Sequence, residues 1–155
     1  RWADQDEAVE QFVVDQAAPV LWELYRAERW SDMRALLEPV RPLVDGLAAR
    51  VERDPSRVAY AAAVATMYVF YVDVEPTLAG QIGLAERAVR VCPSHRNGRF
   101  CLAGLLCEQA IRILEAGPFV IGSEIARAKA MIARAEELNP SSKELARARS
   151  SLRGR

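Results

Sequence analysis

The chain is poor in helix-breaking residues and in residues that carry out chemistry. Glycine and proline number eight each and sit at spaced positions. No stretch sustains the period-two alternation of a half-buried strand, which excludes a sheet-built fold. No window approaches 18 uninterrupted apolar residues, so nothing reads as a bilayer-spanning helix. There is one histidine, and no motif places a nucleophile or an orienting acid beside it, as a catalytic base would need. Cys92, Cys101 and Cys107 are odd in number and lack Cys-x-x-Cys or Cys/His spacing, which argues against zinc and against a disulfide framework. They read as core thiols in a reducing, cytoplasmic setting. Net charge is zero, with no basic face of the kind that binds nucleic acid.

What remains is helix-forming material. About half the residues (51%) are apolar, enough for a core in a single domain of 155 residues. Alanine, leucine, glutamate and arginine dominate, and all four are strong helix formers. The expected class is all-α. Charge drifts along the chain: residues 1–50 carry six Arg against ten Asp/Glu, a net −4, and residues 101–155 carry nine basic against six acidic, a net +3. That polarity suits head-to-tail contact between copies in a homo-oligomer, or simply a solvated surface of uneven composition. The opening Arg1-Trp2-Ala3-Asp4 is neither an initiator methionine nor a signal peptide, and reads as a piece cut from a larger protein at a domain boundary.

Three copies of one local signal, Asp54-Pro55-Ser56, Cys92-Pro93-Ser94 and Asn139-Pro140-Ser141, punctuate the chain at separations of 38 and 47 residues. In each, a helix should end before the proline and the serine should cap the next one. Helices are expected over 4–26, with Pro19 kinking or splitting the first, and over 31–53, with Pro39 and Pro42 kinking or restarting it near Glu38. The next span 56–72, 76–91, 94–116 (ended by Gly117-Pro118), 123–138 (capped through Ser123-Glu124) and 141–152. Met67 to Val72 is dense in aromatic and β-branched residues, but the alanine-rich lead-in favours helix. The last helix has only a narrow stripe of Leu145, Ala148 and Leu152 among Lys143, Glu144, Arg147, Arg149 and Arg153, the pattern of a polar cap on a stacked array.

A template recurs at fixed offsets before each proline: Ala128, Ile132 and Ala135; Gln81, Ala85 and Ala88; Leu43, Leu47 and Arg50. After the prolines, Val64-Ala65 with Tyr68 matches Leu102-Ala103 with Leu106. Small residues at helical spacing allow close helix approach. On these residues the chain resembles the tetratricopeptide repeat family from about Val14 to its C-terminus, best over Glu124 to Pro140. Leu24 to Leu37 is similar to that family's inter-helix turn, with Trp30 at the aromatic position that wedges between paired helices. Gln81 and Arg50 depart from the small positions, and the turns after Val72 and Ala116 are longer.

The resemblance implies helix pairs at 14–53, 56–91 and 94–138 plus the cap at 141–152, stacked as a right-handed α-solenoid. Its inner face would present Trp22, Tyr25, Arg26, Ala62, Thr66, Phe70, Asn97, Phe100, Gly104, Cys107 and Glu108. Such a groove takes a peptide, a partner helix or a neighbouring domain. It would not clamp a C-terminal carboxylate, because Asn97 is alone among Ala, Phe, Cys and Gly where paired Lys/Arg and Asn would be needed. Trp22, Tyr25 and Arg26 are of the types enriched at interface centres, and Phe70 is either an anchor of this kind or core. The expected function is therefore a protein-binding or scaffolding module without cofactor or catalytic activity. A ligand-sensing regulatory helical domain is the alternative, since the inner lining from Ala62 to Phe70 with Phe100 is mainly apolar. Asn97-Gly98 at a helix start is unusual, and allows close helix approach or a ragged first turn.

Overall fold

The computed structural model describes residues 2–54, 56, 60–117 and 119–154, with side chains of 2–7, 9 and 11 outside the described set. Pro55 and Pro118, and residues 57–59 of the expected third helix, therefore lie outside it. Seven α-helices and no strand occur among the described residues: α1 (Trp2–Arg26), α2 (Trp30–Arg53), α3 (Ala61–Val74), α4 (Leu78–Val91), α5 (Arg96–Leu114), α6 (Gly122–Leu138) and α7 (Lys143–Arg153). The fold is all-α, and Met67 to Val74 is helical throughout. None of these helices is long and apolar enough to cross a membrane.

The chain divides into two compact units, Arg1–Gly98 and Arg99–Arg155. In the first, α2 packs on α1 and α3, α1 also meets α3, and α3 packs on α4. Its core includes Leu21, Met33, Leu37, Leu47, Met67 and Tyr68. α3 is apolar almost all round, as a helix covered on several sides must be. In the second unit α7 packs on α6. Leu145 and Ala148 are the buried side of α7, and Arg149 pairs with Glu136 of α6. Arg99 donates to the carbonyls of Glu137 (2.9 Å) and Leu138 (3.3 Å), serving orphan acceptors at the end of α6.

The template residues are mostly buried ones. Ala85, Ala88, Ala128, Ile132, Ala135, Leu47, Val64, Ala65, Tyr68, Leu102, Ala103 and Leu106 are all inaccessible to solvent or nearly so. The two departures have polar tasks. The Arg50 guanidinium donates to both carboxylate oxygens of Glu10 on α1 (2.6 and 3.4 Å), and the Gln81 amide donates to the Glu75 carbonyl (2.8 Å).

Several local expectations need correction. Proline neither splits α1 at Pro19 nor restarts α2 at Pro39 and Pro42. All three prolines are exposed, as are Asp15, Ala35 and Glu38 four residues before them, so each ring sits on the outer side of one continuous helix. The serines of the three Pro-Ser signals do not cap the following helices. Ser56 Oγ donates back to Asp54 Oδ1 (2.6 Å), Ser141 Oγ back to Asn139 Oδ1 (3.0 Å), and Ser94 Oγ lies 3.7 Å from Cys92 Sγ. The residues before the prolines share one backbone shape, with φ/ψ of −135/86°, −138/89° and −152/87°. Each also donates its N–H to the carbonyl four residues back. The signal ends helices in the same way three times, and the next helix starts later than the serine. Ser123 likewise is no cap: α6 begins one residue earlier, with Glu124 Oε2 accepting from the Ile121 N–H.

Candidate functional site

The three-residue link Ala27–Arg29 joins α1 to α2 through a C-terminal motif with two characteristic bonds. The Arg29 N–H donates to the Leu24 carbonyl (2.9 Å) and the Glu28 N–H to the Tyr25 carbonyl (3.0 Å). Glu28 takes the left-handed conformation (φ 54°) that the motif requires, although it is not glycine. This sharp reversal brings Trp30, the first residue of α2, back over Tyr25. Their rings meet edge to face with centroids 5.5 Å apart. Tyr25 meets Trp22 edge to face at 5.7 Å, and Trp22 meets Phe70 of α3 the same way at 4.9 Å.

The result is a ladder of four rings running from core to surface. Phe70 is 1% exposed, Trp22 half-buried, Tyr25 39% exposed and Trp30 42% exposed. T-shaped contacts of this kind fix ring orientation, so the outer two are held rather than loose. Ion pairs flank them: Arg26 with Glu23 (2.9 Å) and Arg29 with Asp32 (2.6 Å). Phe70 is therefore core, not an anchor, because Trp22 claims its ring. Trp30 is not wedged between helices but stands at the surface, since the tight link leaves it no depth to enter.

Further along α3, Ala62 is exposed and Thr66 half-buried. Thr66 Oγ donates to the Ala62 carbonyl (3.0 Å) and lies 3.0 Å from Nε2 of His95, while the Gly98 N–H donates to His95 Nδ1 (3.0 Å). A ring nitrogen accepting from an amide carries no proton, so the Nε2–H form is present and Thr66 is its acceptor. Both nitrogens of His95 are thus engaged, which leaves neither as a catalytic base, and burial pushes its pKa below the ordinary histidine value. Gly98 is buried, and a Cβ there would stand 3.3 Å from that of Ala88 on α4, so the glycine permits close approach rather than a ragged start. Asn97 is exposed.

The candidates in the second unit are not alike. Phe100 is 39% exposed, Gly104 half-buried, and Glu108 exposed with Arg112 (2.5 Å) as its partner. Cys107 is buried, so it offers nothing to a partner. Burial pushes its thiol pKa up to about 11, Glu144 adding to the rise and Arg149 opposing it.

Two features escaped sequence reasoning. One is a polar cluster on α2, α3 and α4. Asp45 accepts from the Tyr68 hydroxyl (2.6 Å), Arg41 Nε (3.1 Å) and Arg87 (3.3 Å). Arg41 lies over the Tyr71 ring at 4.5 Å and Arg87 over Tyr68 at 5.4 Å, while Tyr71 donates to the Leu37 carbonyl (2.7 Å). Only the Arg41–Asp45 pair, four residues apart on α2, is local; Tyr68, Tyr71 and Arg87 join it through tertiary contact, which no short pattern signals. The other is a cleft of about 520 Å³ lined by Val51, Glu52, Ala61, Ala62, Arg90, Val91, Cys92, Pro93 and Ser94. Among the described residues no group of three His, Cys, Asp or Glu side chains is arranged to hold a metal. No protein-family model, curated protein or solved structure matches this chain.

Proposed function

We propose that this chain is a protein-interaction module, a divergent helix-pair repeat of the tetratricopeptide kind, and that Tyr25, Trp30, Trp22 and Arg26 form the centre of its binding face. The observation that carries the reading is the ring ladder. Two aromatic side chains stand substantially in water, yet each is held in place by edge-to-face contact with a ring further in. Aromatic residues and arginine dominate interface energetics, and rings already ordered lose little entropy on binding. The alternative is surface packing of a helix pair, which would not need two of the largest side chains held half in water. Support for the repeat reading comes from the burial of the template residues and from the thrice-repeated geometry before the prolines.

The test is selection of binding peptides from a random library on the intact chain, followed by affinity measurement with Tyr25→Ala and Trp30→Ala. Loss of an aromatic anchor should weaken binding about tenfold or more, the effect of roughly 1.4 kcal/mol. Peptides that bind both variants as tightly as the parent place the interface elsewhere.

The cleft of about 520 Å³ favours a second reading, a ligand-sensing regulatory domain. Its lining joins apolar Val51, Ala61, Ala62, Val91 and Pro93 to charged Arg90 and Glu52, which suits a small ligand carrying one polar end. A metabolite screen by thermal shift separates the two, because a ligand held there raises the melting temperature in a concentration-dependent way.

A further inference from the structure

His95 is the only histidine in the chain, and it occupies the position just before the first residue of α5. Residues at this position normally satisfy one orphan N–H of the first turn with a side-chain oxygen. Here the acceptor is Nδ1, which takes the Gly98 N–H at 3.0 Å. The opposite edge of the same ring is tied to α3, with Nε2–H donating to Thr66 Oγ and the threonine passing its own proton to the Ala62 carbonyl. One neutral ring therefore does two tasks, and both need a particular protonation state.

We propose that His95 is a pH-sensitive clasp: as neutral imidazole it caps α5 and ties the first turn to α3, and as imidazolium it opens that turn. The geometry leaves no mild outcome for the added proton. It would sit on Nδ1, the atom that already receives the Gly98 N–H, so two donors would face each other across 3.0 Å. The new positive charge would also stand at a helix N-terminus, where the backbone dipole disfavours cations. Among the described residues, the groups shown against the ring are uncharged: Thr66 and Ala62 from α3, the Gly98 amide from α5, and beyond the glycine Ala88 of α4. The charged side chains of its own first turn are Arg96 and Arg99, both positive. Burial displaces its titration downward, in the direction that favours the neutral ring. The clasp stands apart from the aromatic face and does not depend on a partner binding there.

The experiment is amide hydrogen exchange at Gly98 in the intact chain at about pH 7.5 and about pH 5, on either side of the ordinary histidine titration. After correction for the intrinsic exchange rate, protection of Gly98 should fall about fivefold at the lower pH, the scale of losing a helix cap. In His95→Asn, whose side chain caps without titrating, protection should hold at both. Equal protection of Gly98 at both pH values in the parent, or the same fall in the asparagine variant, overturns the proposal. Should the variant fold poorly, nitrogen chemical shifts of the parent ring decide: a proton on Nδ1 at about pH 7.5 overturns it as well.

Discussion

The Tyr68 hydroxyl donates to Asp45 Oδ1 across 2.6 Å, from a ring with no exposure to a carboxylate at the margin of the same cluster. Burial first, and then the hydrogen bond and negative charge of Asp45, hold the phenol proton far above its ordinary range. The pair therefore acts as a permanent donor and acceptor. Asp45→Ala strands the hydroxyl in the core and leaves Arg41 and Arg87 without their shared partner, so it should cost about 2–3 kcal/mol. Tyr68→Phe removes the donor but leaves the carboxylate its two arginines, and should cost only about 1.5 kcal/mol. Urea unfolding of both single variants and the double variant measures this, and the double should fall short of the sum. A loss for Asp45→Ala no larger than a neutral surface change, within about 0.5 kcal/mol, would contradict the account.

Glu28 pays for the α1–α2 reversal with a positive φ of 54°. A side chain in the left-handed region is strained by its Cβ, whereas glycine is not. Glu28→Gly should therefore raise stability by about 0.5–1 kcal/mol, the reverse of what glycine does inside a helix. Glu28→Val should lower it, because a β-branched residue fits that region worst. Thermal melts of the two variants should move in opposite directions from the parent.

Phe70 at the buried end of the ring ladder and Tyr25 near its exposed end should separate stability from binding. Phe70→Ala empties a fully packed site and should cost about 3–5 kcal/mol. Tyr25→Ala gives up two edge-to-face contacts of a half-exposed ring, about 1–2 kcal/mol together. A binding defect in the first variant reports unfolding, while one in the second, with the helical circular dichroism signal retained, reports the surface.

The helices and the buried side of each were legible in the chain because they rest on local periodicity. Ala128, Ile132 and Ala135 before Asn139, and Ala85 and Ala88 before Cys92, spaced by three or four residues, are the ones that lie buried. Helix ends were less legible. The serines look like caps, but Ser56 and Ser141 find a nearer acceptor in Asp54 and Asn139 two residues earlier, and Ser94 lies against Cys92. Pro39 and Pro42 look like breaks, but both lie on the exposed side of one continuous α2. The site was legible only in part. Trp22, Tyr25 and Arg26 sit one helical turn or less apart, so their neighbourhood is local. That Phe70 falls beneath Trp22 depends on how α1 and α3 meet, and that His95 reaches Thr66 depends on a contact 29 residues apart in the chain; no short pattern encodes either.

Cys107 provides a test at alkaline pH. Its thiol is buried, with a pKa pushed up to about 11, chiefly by loss of hydration. Only the thiolate attacks disulfide reagents, so Cys107 should stay unmodified at about pH 8 in the folded chain and react only after denaturation. Cys92 and Cys101 are partly exposed and should be reached first. The linkage has a definite sign. A folded pKa above the unfolded one means that the folded chain keeps a proton which the unfolded chain releases. Stability should therefore fall as pH rises from about 9 towards 11, and be unaffected by this group below that window. Cys107→Ala removes the titration and should flatten this part of the profile, although it also loses some packing. A native Cys107 that reacts as fast as Cys92 would mean that the interior of the second unit admits water, and the alkaline slope should then vanish in the parent too.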